Sequence, residues 1–340
     1  MHKSLSIMKL GTKICVGVAL VAAILLIPAA MYTLHLPPTG VFESATSKSD
    51  HLAPHERITI QDSGEFTMPG TGSGCECVRS GSGSSSEPFV ISDWEISASG
   101  DNGISISWTG VHFVILNVHV NVTAADNGAV LRGVANGTIQ ASSFYGGGIS
   151  LYNSNAISIL NNTITGGEFG ILLEASDDNT ISGNRLDQVR EVGIFVRASH
   201  NRVESNYVTD GSYGGINIDG TTGFGNDNHI VNNVVEGNIQ YGLGLWEAQN
   251  NSIQGNVVSE NGVGIMMILS STKNIVEQNN VAKNVADGIV ADEQSIGNRI
   301  MGNTVTGNGN GVTSFDLHDE SSGNLWSDNT FNTRRPDTIS

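Results

Sequence analysis

The 340-residue chain is acidic and rich in glycine: it has 16 Lys and Arg against 33 Asp and Glu, a formal net charge of −17, and 42 Gly. This charge argues against a nucleic-acid partner, because sequence-independent binding needs a cationic surface. It also disfavours a polyanionic partner unless a divalent cation such as calcium bridges the two. The many Gly, Asn, Ser, Thr, Val and Ile residues predict a β-protein with tight turns.

Residues 1–34 have the pattern of a targeting segment. Three lysines precede an apolar run over residues 14–34, and 21 residues at about 1.5 Å each span a hydrocarbon core of about 30 Å. The run predicts a hydrophobic helix that anchors the chain in a membrane, with the rest of the chain outside. A cleaved signal peptide is the alternative, although its cleavage site would be poor. Both interpretations predict export to the cell surface or the periplasm.

Two segments precede the main domain. Residues 35–56 contain three prolines and several serines and are predicted to be a flexible linker. Residues 57–87 are predicted to form an N-terminal cap and a Gly/Ser-rich approach segment, because a solenoid needs its open end covered. Cys75 and Cys77 in this segment are a candidate pair of copper ligands, with a local or an intermolecular disulfide as the alternatives.

From residue 148 onward the sequence repeats about every 23 residues, a period typical of solenoids. Each repeat places two asparagines five positions apart. The pairs are Asn179 and Asn184, Asn201 and Asn206, Asn228 and Asn233, Asn251 and Asn256, Asn274 and Asn279, Asn298 and Asn303, and Asn324 and Asn329. Three short runs, too short for helices, make up each repeat. They predict a parallel β-helix of about ten coils over residues 88–333, followed by a tail over residues 334–340.

Aliphatic residues recur at four positions of each repeat and predict four inward-facing rows that form one core. The first row comprises Ile149, Ile171, Ile194, Ile216, Leu243, Ile265, Ile289 and Val312. The second asparagine of each pair is expected to adopt the left-handed conformation at a corner and to hydrogen bond to its equivalent in the next coil. A leucine-rich repeat is the structural alternative, but these repeats favour Ile and Val and contain no helical stretch.

Three features together resemble a known group: the segment 81–96, the Asn102-Gly-Ile opening of a coil, and the Asn-x-Ile-x-x-Asn repeats. The group is the right-handed parallel β-helix proteins of the pectin-lyase-like superfamily, of the NosD-like, carbohydrate-binding and sugar-hydrolase type. The resemblance covers about residues 81–333 and implies a right-handed all-β solenoid. The superfamily includes polysaccharide lyases, hydrolases and epimerases, tailspike-like binders and factors for copper-enzyme maturation, so the fold leaves the activity open.

Outward positions on the first strand of each coil are free of core packing and form the candidate functional surface. The candidate ligand-binding residues are Tyr152, Phe195, Asn217, Trp246 and Asp292, and the candidate catalytic residues are Glu174, Arg197 and Asp219. Aromatic rings stack on sugar rings and carboxylates accept hydrogen bonds from hydroxyls, so this face predicts a polysaccharide groove. An insertion over residues 220–228 is expected to wall it, since solenoid insertions often lie on the binding face.

The charged residues of this face allow other interpretations. Arg197 between two carboxylates fits a polysaccharide lyase, in which the superfamily resemblance implies carboxylates that hold calcium against a uronate. Glu174 and Asp219 lie two coils apart, about 9.6 Å, which reaches the separation found in inverting glycoside hydrolases. The structural alternative is a ladder of surface ion pairs, with Phe195 and Trp246 packed under a loop.

These observations predict an exported, membrane-anchored β-helix that binds polysaccharide at the cell envelope. A polysaccharide lyase or glycoside hydrolase is the first alternative. A NosD-like accessory factor for the maturation of an exported copper enzyme is the second. Calcium is the preferred cofactor prediction over copper, because no His, Met and Cys cluster with ligand spacing surrounds Cys75 and Cys77. The remaining soft donors lie far away in the sequence, at His112, His119, Met266 and Met267.

Overall fold

Three sheets of twelve strands each form the part of the chain that the structure describes. A computed structural model describes residues 52–123, 127–336 and 338–339. The predicted N-terminal hydrophobic helix and most of the predicted linker lie outside these residues. Across the described part of the chain, no helix has the length and apolarity needed to cross a membrane. The only helical element there is a three-residue 3-10 turn, Ser63–Glu65.

The strands are short, and most have three or four residues. The first twelve are β1 (Ala53–His55), β2 (Ile58–Ile60), β3 (Val78–Ser80), β4 (Phe89–Ser92), β5 (Trp94–Ala98), β6 (Ile104–Ser107), β7 (Phe113–Leu116), β8 (His119–Val122), β9 (Ala129–Arg132), β10 (Gly137–Gln140), β11 (Ser143–Tyr145) and β12 (Ile149–Tyr152). The next twelve are β13 (Ser158–Leu160), β14 (Thr163–Thr165), β15 (Phe169–Glu174), β16 (Thr180–Ser182), β17 (Arg185–Asp187), β18 (Val192–Arg197), β19 (Arg202–Glu204), β20 (Tyr207–Thr209), β21 (Gly214–Asp219), β22 (His229–Val231), β23 (Val234–Glu236) and β24 (Tyr241–Trp246). The last twelve are β25 (Ser252–Gln254), β26 (Val257–Ser259), β27 (Val263–Ile268), β28 (Ile275–Glu277), β29 (Asn280–Ala282), β30 (Ile289–Ala291), β31 (Arg299–Met301), β32 (Thr304–Thr306), β33 (Leu317–Asp319), β34 (Leu325–Ser327), β35 (Thr330–Phe331) and β36 (Arg334–Arg335).

Successive strands of a coil belong to different sheets, and each strand pairs in parallel with its equivalents in the neighbouring coils. Sheet 1 comprises β2, β6, β9, β12, β15, β18, β21, β24, β27, β30, β33 and β36. Sheet 2 comprises β3, β4, β7, β10, β13, β16, β19, β22, β25, β28, β31 and β34, and sheet 3 comprises β1, β5, β8, β11, β14, β17, β20, β23, β26, β29, β32 and β35. The exception to the parallel pairing is β3 with β4. The predicted all-β parallel solenoid of about ten coils is confirmed.

The parallel ladders extend beyond the predicted limits of the repeats. Strands β1 and β2 pair with β5 and β6, so the stacking begins near Ala53 and not near residue 88. At the other end β36, which lies in the predicted tail, pairs with β33. The terminal strands have only two or three residues, and a long segment separates β2 from β3. The sequence period is therefore hidden at the N-terminal end.

The inward rows form one continuous apolar core, and the prediction for them holds with one exception. Val312 is 74% exposed, so its place in the first row is wrong. Leu317, fully buried, takes that position and pairs with Ile289. The preceding loop is longer than in other coils, and the side chain of Asn310 accepts hydrogen bonds from the backbone of Val312 and Thr313 within it. This loop shifts the register by five positions, which periodicity alone does not reveal.

Buried asparagines connect the coils through three ladders, of which the sequence predicted one, that of the second asparagine of each pair. In each ladder the backbone N–H and the side-chain amide of one asparagine donate to the side-chain oxygen of the next. Asn233, for example, donates to Asn256 Oδ1 over 2.9 Å from its backbone and 3.0 Å from Nδ2. The third ladder follows sheet 3 and comprises Asn238, Asn261, Asn284 and Asn308. These bonds satisfy amide groups that the core would otherwise leave unpaired.

The expected left-handed conformation belongs to a different residue. The ladder asparagines do not adopt it, and the residue immediately before each of them does, except at Asn324. Asp178 has φ 57°, His200 has φ 58° and Gly183 has φ 67°. The preceding residue turns the corner and points its side chain outward, which leaves the asparagine side chain free to enter the core. Sequence variety at these preceding positions therefore coexists with a constant asparagine.

The ladder predicts a large cost for a single truncation. Asn256→Ala should lower the free energy of unfolding of the full-length protein by about 1–3 kcal/mol, because the buried N–H of Asn233 loses its acceptor. Urea unfolding followed by circular dichroism measures the change. Gln254→Ala is the matched control from the same coil, since its exposed amide only contacts Gln278 over 3.3 Å. Equal stability of the two variants would contradict the structural role of the ladder.

Candidate functional site

Three rows of side chains run along the outer face of sheet 1, parallel to the axis of the solenoid. The first outer row comprises Phe169, Val192, Gly214, Tyr241 and Val263. The middle outer row comprises Ser150, Leu172, Phe195, Asn217, Gly244, Met266 and Val290, and the last outer row comprises Arg132, Tyr152, Glu174, Arg197, Asp219, Trp246 and Ile268. The strands pair in register, so residues one coil apart are neighbours. Seven of the eight predicted ligand-binding and catalytic residues lie in these rows.

Arg197 is the centre of the charged part of the last outer row. Its Nη2 and Nε lie 2.8 and 3.2 Å from Asp219 Oδ2, and its Nη1 lies 3.6 Å from Glu174 Oε1. The side chains of Arg197 and Asp219 are 14% and 3% exposed, whereas that of Glu174 is 43% exposed. The predicted ion pairs therefore form, and the pair with Asp219 is a buried one in which each charge compensates the other.

The environment of the two carboxylates differs in a way that bears on catalysis. The second oxygen of Asp219 accepts a hydrogen bond from the backbone of Thr221 over 2.9 Å. Both oxygens of this buried carboxylate are thus engaged, while Glu174 faces solvent. Two carboxyl groups that flank a glycosidic bond must both reach the substrate. In this arrangement only Glu174 does.

Aromatic rings and arginines alternate along the same face. The guanidinium carbon of Arg132 lies 4.5 Å from the ring centre of Tyr152, and that of Arg197 lies 5.1 Å from the ring centre of Phe195. Burial, followed by the nearby charge of Glu174, raises the pKa of Tyr152. Its phenol is therefore a neutral hydrogen-bonding group at physiological pH. Sequence reasoning missed Arg132, which continues the row one coil before Tyr152.

The middle outer row is buried although it faces away from the core. Leu172 and Phe195 belong to one outer apolar cluster, and Met266 belongs to a second. The strands that carry them lack the alternation of a one-sided sheet, as in the run Val263-Gly-Ile-Met-Met-Ile268. Such runs are typical of strands covered on both faces. This signal was present in the sequence, and it identifies sheet 1 as the sheet whose outer face also carries buried apolar side chains.

Tyr241 lies flat in a cradle made by two glycines. A methyl group on Gly214 would come within 2.3 Å of Cζ of Tyr241, and one on Gly244 would come within 2.9 Å of its Cε2. Tyr213 and Trp246 flank the ring, with ring centres 5.6 and 5.7 Å away. Tyr241 is only 1% exposed, and burial raises the pKa of its phenol well above the usual range.

Several buried polar atoms around Tyr241 lack a hydrogen-bond partner among the described residues. They are both side-chain amide atoms of Asn217, the hydroxyl of Tyr241, the indole nitrogen of Trp246 and the hydroxyl of Thr221. Asn217 is fully buried, and its Oδ1 would lie 2.7 Å from a methyl group on Gly244. A buried polar group without a partner costs roughly 1–3 kcal/mol. Such groups are concentrated at one place on the predicted binding face, which makes this place the candidate site.

The insertion over residues 220–228 lies beside this cluster, at the corner after β21. The backbone N–H of Gly220 donates to the carbonyl of Trp246 over 2.7 Å. Gly220 is required here, since a methyl group on it would come within 2.1 Å of the carbonyl oxygen of Glu247. The insertion is thereby fixed next to Asp219 and Trp246, at the side of the outer face where the sequence placed it.

The remaining predicted site residues, Asp292, Cys75 and Cys77, make contacts that serve the fold. Asp292 accepts backbone hydrogen bonds from Leu269 over 2.7 Å and from Ser295 over 2.9 Å, so it caps a corner. Cys75 and Cys77 form a disulfide with each other, the local alternative that the sequence left open, and in this form neither provides a thiolate to a metal. Within the described ranges, no three or more His, Cys, Asp or Glu side chains are grouped to hold a metal ion.

A histidine at the C-terminal end of sheet 1 was not identified from the sequence. Its Nδ1 lies 3.2 Å from Asp287 Oδ2, and its Nε2 lies 3.9 Å from Glu320. This residue, His318, pairs with Val290 on one side and Arg335 on the other. The hydrogen bond to Asp287 raises the pKa of His318, against the opposing effect of burial. The register shift in the preceding loop concealed its place on the outer face.

The fold and its outer rows define a parallel β-helix protein with one aromatic and charged sheet face. The sequence matches the NosD family, described as periplasmic copper-binding protein (NosD), over residues 59–240, 104–291 and 223–336. The chain therefore belongs to the NosD family, and the resemblance to right-handed parallel β-helix proteins is confirmed. No curated protein sequence matches the chain.

Solved structures with the same fold share little sequence with it. The A-module of mannuronan C-5 epimerase AlgE4 from Azotobacter vinelandii has a TM-score of 0.56 at 12% identity, and 83% of this chain and 86% of that chain are covered. The A-module of AlgE6 from the same organism has a TM-score of 0.50 at 14% identity, with 83% and 90% covered. The tailspike of E. coli bacteriophage HK620, in complex with a pentasaccharide, has a TM-score of 0.53 at 12% identity, with 74% and 56% covered.

The cradle predicts energetic coupling between a glycine and the ring above it. Gly214→Ala should destabilise the protein by about 1–3 kcal/mol, because the added methyl group overlaps Tyr241. In a Tyr241→Ala background the same substitution should have little cost, and a double-mutant cycle by urea unfolding measures the coupling. Gly110→Ala is the control, since a methyl group there meets nothing within 4 Å. Additive effects of the two substitutions would show that the ring does not occupy the cradle.

The raised pKa of His318 predicts a pH-dependent contribution to stability. The protonated imidazole is favoured in the folded state, so its contribution is complete below the usual value of 6.5 and is lost as pH rises through the raised folded pKa. The wild type should therefore lose thermal stability relative to His318→Gln as the pH rises from 6.5 through the raised folded pKa. The difference between their thermal unfolding midpoints measures this loss. The groups that face it are Asp287, Glu320 and Arg335. A difference between the two proteins that is constant from pH 5 to 9 would contradict this assignment.

Proposed function

We propose that this protein binds polysaccharide along the outer face of sheet 1. The observation that carries the proposal is the last outer row, in which Tyr152 and Trp246 remain partly exposed beside the charged residues Glu174 and Arg197. Partly exposed aromatic rings offer apolar faces to sugar rings, and the charged groups offer hydrogen bonds to hydroxyls. The rows repeat at the strand spacing of about 4.8 Å, which suits a ligand that is itself a linear repeat.

The charges of the face favour a neutral glycan. Arg197 is compensated by Asp219 and Glu174, while Glu168 and Glu191 are exposed nearby. The chain as a whole has a net charge of −17, so an anionic polymer would be repelled. Calcium would be needed to bridge a polyuronate to these carboxylates. We therefore propose neutral polysaccharide as the ligand class, with calcium-dependent binding of a polyuronate as the alternative.

The structural neighbours support this direction within the limits of a shared fold. One is named for an activity on mannuronan, and another was solved with a bound pentasaccharide. A parallel β-helix is thus a scaffold on which a linear polysaccharide can be bound.

We also propose that the protein is exported and acts at the cell envelope. The apolar run over residues 14–34 is the basis for export, with anchoring preferred over cleavage. Two observations support an oxidising compartment outside the cytoplasm. The NosD family is described as periplasmic, and Cys75 and Cys77 form a disulfide.

The resemblance found in the sequence implies a second candidate function, an accessory role in the maturation of an exported copper enzyme, and the description of the family as periplasmic copper-binding protein favours a copper-related role. The donor set of the described residues does not fit a copper site in this chain. The two cysteines are joined, Met267 is fully buried in the core, and Met266 packs in an outer apolar cluster. An accessory role would therefore have to act by binding a partner or a glycan.

A glycan array with the full-length protein in detergent, with and without calcium, tests the leading proposal. Neutral glycans should bind without calcium, and Tyr152→Ala should weaken the binding roughly five- to tenfold through loss of ring stacking. Tyr145→Ala is the matched control, because this exposed tyrosine lies on β11 in sheet 3. Absence of binding to any glycan, or equal loss in both variants, would reject the proposed face.

The same experiment distinguishes a binder from an enzyme. Reducing ends or unsaturated products released from a bound polymer, and lost in Arg197→Ala, would support an enzyme that acts at the patch around Arg197. Binding without turnover would leave the protein as a polysaccharide-binding solenoid. Stoichiometric Cu(I) binding by the reduced protein, lost in Cys75→Ser, would instead support a metal role.

A further inference from the structure

We infer that Tyr241 closes a sugar-ring subsite on the outer face of sheet 1, and that Asn217 binds the sugar hydroxyls when the tyrosine swings out. The inference rests on the proposed polysaccharide function and identifies where on the face a single sugar ring would enter. It is based on the shape of the cradle, the unpartnered polar groups in it and the aromatic side chains that flank it.

The cradle is a gap in an otherwise filled outer layer. Val192 precedes Gly214 in the first outer row, and Met266 follows Gly244 in the middle row. At these two glycines the layer has no side chain of its own, and the Tyr241 ring fills both vacancies. With the tyrosine turned away, the gap would be a slot floored by the backbone of β21 and β24. The opened slot would have the footprint of one six-membered ring, and the ligand inferred for it is the pyranose ring of one sugar residue.

The polar lining of the slot is suited to a ligand and unsuited to a tyrosine. Asn217 is fully buried, and neither its amide nitrogen nor its oxygen has a partner among the described residues. The hydroxyl of Tyr241 lies in the same cluster and is also unpartnered. An amide offers two donors and one acceptor group, which matches vicinal hydroxyls of a neutral sugar.

The flanking residues complete a saccharide environment. Tyr213 meets Tyr241 edge to face at an interplanar angle of 84°, and Trp246 meets it at 59°. Both are partly exposed, so they lie between the slot and solvent. A sugar ring in place of Tyr241 would contact two aromatic side chains and leave its exocyclic groups toward the last outer row. The subsite is therefore continuous with the proposed polysaccharide face.

In the closed state the unpartnered polar groups lower the stability of the protein. A bound sugar would relieve this cost by hydrogen bonding to them. Burial of unpartnered polar groups is destabilising, and their replacement by apolar groups of similar shape is neutral or stabilising. Asn217→Leu should therefore raise the unfolding midpoint while it removes the hydroxyl-binding group. A residue that lowers stability and supports ligand binding is a pattern expected of functional sites. Met266→Leu, in the same row and within the apolar cluster, is the matched control.

The first measurement uses the full-length Tyr241→Ala protein, in which the slot is open, and ligand-observed saturation-transfer NMR with D-glucose as the probe. Glucose should give a saturation-transfer signal with this variant, and the signal should weaken at least tenfold in Tyr241→Ala/Asn217→Leu. Phenol is the second probe. Binding of phenol alone, no glucose signal, or a glucose signal independent of Asn217 would each overturn the inference, because the slot would then be merely an apolar cavity.

The second measurement uses variants that keep the ring, in case Tyr241→Ala does not fold. Asn217→Leu should unfold at higher urea concentration than the wild type and bind neutral glycans of the array at least tenfold more weakly, whereas Met266→Leu should match the wild type. Tyr241→Phe should also be more stable, since it removes an unpartnered hydroxyl, and should bind more weakly because the slot opens less often.

The outcomes separate the subsite from the proposed function. Glycan binding that is unchanged in Asn217→Leu overturns the subsite and leaves polysaccharide binding by the rest of the face intact. Failure of the wild type to bind any glycan rejects the proposed function, while the glucose measurement on Tyr241→Ala still decides the slot. Asn217→Leu less stable than the wild type would show that its amide has a structural partner, and would also overturn the inference.

Discussion

The asparagine ladders are the interaction on which the rest of the structure depends. A corner between two sheets turns the backbone inward and leaves its N–H without a strand partner. The side-chain oxygen of the asparagine in the next coil supplies the acceptor, as between Asn179 and Asn201 over 2.9 Å. This bond fixes the spacing and the register of adjacent coils at the same time. The side chains in each outer row of sheet 1 are aligned because the ladders hold the corners of adjacent coils in the same register.

The ladders also explain which parts of the fold could be predicted from sequence. A periodic asparagine and periodic aliphatic residues define coils, sheets and core, and these predictions hold over most of the chain. They fail where the period is broken by irregular segments, as at Val312, where a longer loop moves Leu317 into the row. They also fail at β1 and β2, where the long segment between β2 and β3 interrupts the period.

The position of the candidate site could be predicted from the sequence, but the burial and packing of its residues could not. The register placed Glu174, Arg197 and Asp219 side by side, and the structure brings them into contact. The register did not indicate that Asp219 would be buried, since burial on an outer face depends on the neighbouring aromatic side chains. Nor did it indicate the cradle of Tyr241, because the glycines that form it come from different coils. Their closeness is a property of the stacked strands.

The third ladder ends at a carboxylate, so its hydrogen bonds all run in one direction along the solenoid. Asn308 donates to Asp316 Oδ1 from its backbone over 2.9 Å and from its side chain over 3.0 Å. The other oxygen of Asp316 accepts from the backbone of Asn332 and Thr333. Because a carboxylate accepts and does not donate, it terminates a relay in which every asparagine does both. An aspartate in the place of an asparagine thus ends the third ladder and ties it to the backbone just before β36, the last strand of sheet 1.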